Sequence, residues 1–200
     1  MEKETLFAII SIIIYLVGII PYWRDVIIGR TYPHPFSTGV WSILVWFNTY
    51  VLYMSGEYLA FLPSLVMTFS LIFFWVGYGI KQFRKIHINW FDYLCLWLSG
   101  ILILYWFLSG NILNTVILTM IIDFVAFLPV FKKWYLHPWT ETIWATLLAG
   151  VNQIFTLLAI TSPNPETTLF WGYLFFANLL FFFMVFFRRW YLRWWHSIFE

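Results

Sequence analysis

The sequence carries the octapeptide HPFSTGVW at residues 34–41 and a related one, HPWTETIW, at residues 137–144. Both follow the pattern His-Pro, one residue, Ser or Thr, three residues, Trp, and both come after an apolar run containing a proline, Pro21 or Pro129. Recurrence of this kind indicates an internal repeat, which limits the possible architectures. The alternative is that two helix starts share a capping pattern by chance.

The similarity extends into the apolar runs on both sides of the octapeptides. An offset of 108 residues aligns 9–24 with 117–132 and also aligns Ser70 with Asn178. The octapeptides are only 103 residues apart, because the loop before the first one is five residues longer. The pattern predicts a first three-helix repeat at 1–88 and a second at 111–200. Because the two copies share one orientation, an odd linker helix, 89–110, is needed between them.

The composition excludes a water-soluble domain. Hydrophobic residues make up 62% and charged residues 10%, against about a quarter charged in soluble proteins, so the apolar residues must meet lipid. The net charge of +2 is too small to suggest nucleic acid as a partner, and the single cysteine, Cys95, excludes an internal disulfide. The first residues lack the features of a cleaved secretory signal, so the first apolar run is expected to be a retained helix.

Seven apolar runs are long enough to be considered as membrane spans. A barrel is a poor alternative, because the runs do not alternate polar and apolar residues. The chain is therefore predicted to be a single all-α transmembrane domain, 1–200, with spans at 5–22, 39–55, 58–80, 92–109, 111–131, 141–161 and 167–188.

The positive charges orient this arrangement. With seven spans, Lys3 alone lies on the side of the N-terminus, and all the other basic residues lie on the opposite side: Arg24, Arg30, Lys81, Arg84, Lys85, Lys132, Lys133, Arg188, Arg189 and Arg193. By the positive-inside rule the N-terminus faces outward and the C-terminus faces the cytoplasm. The expected location is the cytoplasmic membrane of a prokaryote, with the lipid bilayer as the surrounding partner.

The layout of three, one and three helices, with a proline near the cytoplasmic end of each repeat's first helix, resembles the SWEET and PQ-loop superfamily. Pro21-Tyr22 and Pro129-Val130 stand where that family usually has Pro-Gln, so the chain looks like a divergent member. The resemblance implies alternating access around a central pocket, with Pro21 and Pro129 as hinges. It also implies that Asn178 is a pocket residue, with Ser70 at the matching place.

Polar residues cluster near mid-depth in six of the spans. A central substrate pocket at the interface of parallel repeats would need such a cluster. The alternative is that these side chains only hydrogen-bond between helices, an alternative that is favoured for Ser70. The candidate substrate-binding residues of this class are Tyr15, Asn48, Ser70, Asn152, Gln153 and Asn178.

Asp123 is the only charged residue deep within a predicted span. A carboxylate at this depth costs at least about 2.5–3.5 kcal/mol, and it can relieve the cost by taking a proton, meeting water or binding a cation. Some PQ-loop transporters use an acidic residue in this helix for proton coupling, so the resemblance supports the same role for Asp123. The alternative is a permanently protonated, structural carboxyl group.

The octapeptides supply further candidates. Trp41 and Trp144 are predicted either to close the cytoplasmic end of the pocket or to anchor the membrane interface. Ser37 or Thr38, and Thr140, are predicted helix N-caps. His34 and His137 lie in loops with no further metal ligands recurring nearby, which favours turn or gate roles over a metal site.

The sequence thus predicts a small-solute transporter or facilitator that takes a neutral or cationic polar metabolite, such as a sugar, an amino acid or a vitamin. A receptor or sorting protein on the same fold is the alternative, because fold does not determine function. No nucleophile–base pair, metal-ligand cluster or phosphate-binding glycine loop is recognisable in the sequence. An enzyme and a cofactor are therefore not expected, and the oligomeric state stays open.

Overall fold

The computed structural model describes residues 2–79, 88–109 and 111–199. These residues form seven α-helices, and within them there is no β-strand. A π-helical turn, Trp75–Gly79, extends the third helix, and a short 3-10 turn, Pro138–Thr140, precedes the sixth. The helices are α1 (Glu2–Ile27), α2 (Pro35–Met54), α3 (Tyr58–Phe74), α4 (Trp90–Ser109), α5 (Ile112–Leu136), α6 (Ile143–Leu158) and α7 (Pro165–Phe199).

The distribution of side chains is the reverse of that in a soluble helical protein. The inward face of α1 carries small or polar residues such as Ser11, Tyr15 and Gly18, all of which are buried. Its outward face carries large aliphatic residues that are at least half exposed: Ile9, Ile13, Val17 and Ile20. Small residues let membrane helices approach closely, and lipid replaces water around the apolar exterior.

Four helical segments are long and apolar enough to cross a membrane: Glu2–Ile27, Tyr58–Tyr78, Ile112–Leu136 and Pro165–Trp194. The prediction of an all-α integral membrane protein is therefore confirmed. Helix α6, with 16 residues, is only about 24 Å long, less than the roughly 30 Å thickness of a hydrocarbon core. Seven crossings remain a prediction, and Lys81, Arg84 and Lys85 lie outside the described residues.

The helices pack in a definite pattern of neighbours. Helix α3 contacts both α1 and α2, and α7 contacts both α5 and α6. The two groups of three meet through the pair α1–α6, which is the most extensive contact, and through the pair α2–α5. Helix α4 packs mainly against α5 and less against α2.

Several helix ends differ from those predicted. Helices α1 and α5 continue through Pro21 and Pro129 to Ile27 and Leu136, because a proline removes only one backbone hydrogen bond and membrane helices tolerate it. The predicted N-caps are wrong: α2 has His34 as its N-cap, and α6 has Thr142. Helix α2 begins earlier because Pro35 suits the first helical position, where its missing N–H is not needed.

Gly39 allows α2 and the π turn to pack closely. A Cβ atom at this position would lie 2.7 Å from Nε1 of Trp75 and 2.9 Å from Cε2 of the same indole. We therefore expect Gly39→Ala to lower the free energy of unfolding by about 1–3 kcal/mol through overpacking. The measurement is thermal unfolding in detergent. Gly100→Ala is the matched control, because a Cβ there meets nothing within 4 Å, and equal stability of the two variants would contradict this account.

Candidate functional site

A cavity of about 140 Å³ lies within the bundle, between the two groups of three helices. Helices α1, α2, α3, α5, α6 and α7 all contribute side chains to its wall, whereas no described residue of α4 does. The wall is largely aromatic and aliphatic with a few polar groups, which is the usual character of a small-molecule site. The residues most important below are Tyr15, Tyr22, Trp23, Trp41, Ser70, Phe74, Asp123, Phe127, Trp134 and Asn178.

Asp123 is the only acidic or basic residue among the described residues that line this cavity. Its side chain is 1% exposed, and its Oδ2 atom has no hydrogen-bond partner in the structure. The Tyr173 hydroxyl of α7 lies alongside the carboxyl group. Buried polar atoms are rarely left without partners, so an unpartnered carboxylate oxygen at a cavity wall is a candidate for binding a ligand.

Two more polar groups sit in the same wall. Ser70 is buried without a hydrogen-bond partner and lies beside Tyr15. The amide of Asn178 donates to the Leu174 carbonyl at 2.8 Å, which leaves its side-chain oxygen able to accept. Tyr15 and Asp123 are separated by 108 residues, as are Ser70 and Asn178. The cavity is therefore lined by two pairs of residues that occupy matching positions in the two predicted repeats.

Three other predicted pocket residues do not line the cavity. Asn48 donates to Thr119 at 3.2 Å and so joins α2 to α5. The Asn152 side-chain oxygen accepts from Ser11 of α1, and the Gln153 amide donates to the Met67 sulfur at 3.6 Å. These contacts match the interhelical alternative, in which polar side chains hold membrane helices together.

The two tryptophans of the octapeptides have different surroundings. Trp41 lines the cavity and packs on Phe127, with 4.6 Å between ring centroids. Phe127 in turn stacks on Phe181 at 3.9 Å. Trp144 is 62% exposed on the outside of the bundle, where it contacts Phe182. Trp41 therefore lines the cavity, whereas Trp144 lies outside it.

The loops that follow α1 and α5 meet at one end of the bundle, which we call the basic end because Arg24, Lys132, Lys133, Arg188 and Arg189 lie there. Lys133 donates to the Glu141 carboxylate and to the Tyr32 carbonyl. Thr142 donates to Asp25 at 2.8 Å and contacts Thr31. Arg189 donates to the Pro138 and Glu141 carbonyls. The bonds of Lys133 to Tyr32 and of Thr142 to Asp25 and Thr31 connect the two groups of three helices at the basic end, whereas those of Arg189 lie within the second group.

Glu57 closes the opposite end, and the sequence reasoning did not single it out. Gly56, with φ of 76°, ends α2 in a Schellman motif, because glycine adopts this backbone conformation without strain. The turn directs the Glu57 carboxylate, 2% exposed, toward the segment after α6. There it accepts from the Thr161 N–H and hydroxyl and from the Ser162 N–H at 2.6–2.8 Å.

A second cavity, of about 380 Å³, lies at the basic end and is lined by both predicted gate histidines, His34 and His137. His34 is buried, contacts Ser37 through Nδ1 at 3.2 Å, and has Nε2 at 3.9 Å from Asp92. Burial lowers the pKa of His34 from 6.5 to about 4, against the opposing effect of Asp92. His137 is exposed at the end of α5. Of the predicted hinges, Pro129 borders this cavity, and Pro21 lies on the outer face of α1.

The lowered pKa of His34 predicts a loss of stability in mild acid. His34 binds a proton near pH 6.5 in the unfolded chain but only near pH 4 in the folded chain. The folded state therefore keeps its full stability above pH 6.5 and loses stability as the pH falls toward 4. Between pH 7 and 5 this group alone should cost roughly 2 kcal/mol. We expect thermal unfolding of His34→Gln to depend less on pH than that of the wild type. His137→Gln should match the wild type, and identical pH profiles for all three proteins would contradict the prediction.

A scan of the sequence against protein-family models finds no match, and neither the search of curated proteins nor that of solved structures returns one.

Proposed function

We propose that this chain is a small-solute membrane transporter that works by alternating access, with the central cavity as the solute site. The observation that carries the proposal is the cavity wall itself, which combines one carboxylate, a few hydroxyl and amide groups and many aromatic rings. The wall contains no lysine or arginine among the described residues. A receptor that captures a peptide carboxylate in this central cavity would need such a cation, so transport is the better interpretation of the cavity.

The helix neighbours support two parallel repeats of three helices, with α4 as the linker. In each proposed repeat the third helix contacts the first and the second. The first helix of each repeat contacts the second helix of the other, as α1–α6 and α5–α2. The pairs Tyr15–Asp123 and Ser70–Asn178 share one offset of 108 residues, as expected if an approximate two-fold axis relates the two repeats. Transporters with parallel repeats hold their substrates between the repeats near the membrane midplane.

The bonds between the two groups of helices at each end suggest how access could alternate. Glu57 joins the repeats at one end through Thr161 and Ser162. Lys133 and Thr142 join them at the basic end by donating to the Tyr32 carbonyl and to Asp25, and the positive-inside rule assigns this end to the cytoplasm. Rocking one repeat against the other would break one set of bonds at a time, exposing the cavity first to one side and then to the other.

Asp123 provides a means of coupling transport to protons. Its carboxylate faces the cavity, and a charge there is costly unless it is neutralised. A protonated and an unprotonated Asp123 would therefore favour different conformations or different occupants of the cavity. On this proposal, a pH gradient drives solute movement through Asp123.

Uptake into liposomes tests the proposal. Purified protein is reconstituted with a pH gradient and offered labelled amines, amino acids and sugars. We expect protein-dependent accumulation of at least one solute, and its loss in Ala149→Trp, because Ala149 lines the cavity and an indole there would fill it. Leu158→Trp is the matched control on the same helix, at a position 46% exposed. No uptake of any solute, or unchanged uptake by Ala149→Trp, would contradict the proposal.

A further inference from the structure

We infer that the transported solute is a small organic ammonium ion, and that it displaces the proton of Asp123 so that one carboxylate serves both cations in turn. This inference rests on the proposed transport function and specifies its substrate class. It draws on the charge of the cavity wall, the aromatic rings that line the cavity and the volume of the cavity.

The charge of the wall selects for a cation. Asp123 is the only residue among the described lining residues that can carry a full charge near neutral pH, and its Oδ2 atom is unpartnered. Tyr15 and Tyr22 face the cavity from α1, and Tyr173 approaches the carboxyl group from α7. The described residues that line the cavity from α2, α3 and α6 include no titratable group. An anion would be repelled here, whereas a cation would neutralise the buried carboxylate.

The aromatic rings favour an organic ammonium over a metal ion. Phe127 lies one helical turn from Asp123, so the two side chains share one face of α5. The ring of Trp41 packs on Phe127 at 4.6 Å, and five other aromatic residues also line the cavity: Tyr15, Tyr22, Trp23, Phe74 and Trp134. Aromatic faces attract alkylated ammonium groups, and clusters of them are the common means of recognising methylated ammonium ligands. A metal ion would need several oxygen ligands instead.

The volume of the cavity limits the size of the ion. At roughly 30 Å³ of liquid volume per water molecule, 140 Å³ corresponds to about four or five waters. Tetramethylammonium and choline are of this order, and a longer chain would need the cavity to enlarge.

The single carboxyl group makes the proton and the solute mutually exclusive. When the ammonium ion binds, the Asp123 O–H bond breaks, its proton leaves to solution, and the carboxylate pairs with the ammonium charge. The net charge of the site stays the same in both states, which avoids an uncompensated charge in the membrane. The exchange is therefore one proton for one monovalent cation.

Binding measurements in detergent test this inference directly. The probes are tetramethylammonium, choline and 3,3-dimethylbutan-1-ol. The last is the uncharged isostere of choline, with carbon in place of nitrogen. We expect both ammonium probes to bind and to release protons into weakly buffered solution, and the isostere to bind about thirtyfold or more weakly without proton release. The Asp123→Asn variant should no longer bind choline more tightly than its uncharged isostere, whereas Asp123→Glu should still do so.

The outcomes separate this inference from the transport proposal. Failure of both ammonium probes to bind, equal binding of choline and its isostere, or binding without proton release would each overturn the inference. Uptake of an uncharged solute into liposomes would also overturn it, while leaving transport intact. If choline binds with proton release but no solute is taken up, the cation site stands and transport is wrong. The wild-type comparison of choline with its isostere decides the question even if neither Asp123 variant folds.

Discussion

Replacing Asp123 with asparagine is expected to abolish solute accumulation driven by a pH gradient. Asparagine keeps the shape of the side chain but can neither release a proton nor bear a charge, so no exchange can be coupled to protons. A gradient of about two pH units can support roughly hundredfold accumulation in one-for-one exchange, and the variant should reach only equal concentrations on both sides. The measurement is the ratio of internal to external solute in liposomes.

Asp92→Asn is the matched control for this prediction. Asp92 is also a buried carboxylate, but it lies at the start of α4, where it accepts from the Asn89 N–H at 2.8 Å. Its variant should retain accumulation driven by the gradient. Unchanged pH dependence in Asp123→Asn would show that Asp123 is a structural carboxyl group and not the coupling residue.

The largest expected effect on stability follows from removal of Lys133. The side chains of Lys133 and Glu141 are 12% and 4% exposed and form an ion pair. Lys133→Met leaves the Glu141 charge buried without its cation, which costs about 3–5 kcal/mol in comparable cases. We expect a marked fall in the thermal unfolding temperature in detergent.

Two further variants separate the loss of the pair from the loss of a surface charge. The double variant Lys133→Met with Glu141→Leu should recover much of the stability, because no unpaired charge remains. Lys132→Met removes the neighbouring exposed lysine, whose ammonium group lies 5.5 Å from the Phe91 ring centre, and should have little effect. An equal effect of Lys132→Met and Lys133→Met would contradict this account.

Hydropathy was sufficient to place every helix of the described chain, because each coincides with an apolar run. It failed at particular ends for local reasons. The predicted first and fifth spans ended at 22 and 131, shortly after Pro21 and Pro129, yet α1 and α5 continue to Ile27 and Leu136, because a membrane helix survives the loss of a single backbone hydrogen bond. Helix α2 begins earlier than predicted. Ser37 and Thr38 were expected to cap it, but Pro35 occupies its first turn.

The direction in which a side chain points could not be predicted from the sequence. Tyr15, Ser70, Asp123 and Asn178 were expected at mid-depth, and all four line the cavity. Asn152 was expected there for the same reason, yet it faces Ser11 across the α1–α6 interface. Which face of a helix meets a cavity depends on its neighbours, and a single sequence does not specify them.

The interactions that close the two ends escaped sequence reasoning because their partners are distant in the chain. Glu57 binds backbone N–H groups about 100 residues away, at Thr161 and Ser162. Every residue except proline has a backbone N–H group, so the sequence does not indicate which of them will bind a carboxylate. The aromatic wall around Phe127 was equally hidden, because phenylalanine is common throughout these helices and only packing distinguishes the inner rings from the outer ones.

Alternating access requires the central cavity to open to each side of the membrane in turn. Replacing Cys95 with serine provides a chain without cysteine, into which Ser70→Cys is introduced at the cavity wall. Ser64→Cys, on the same helix but outside the cavity, is the control. Membrane-impermeant thiol reagents are then applied separately from each side. We expect Ser70→Cys to react from both sides and Ser64→Cys from neither, whereas a Ser70→Cys thiol that reacts from one side only, or from neither, would contradict alternating access.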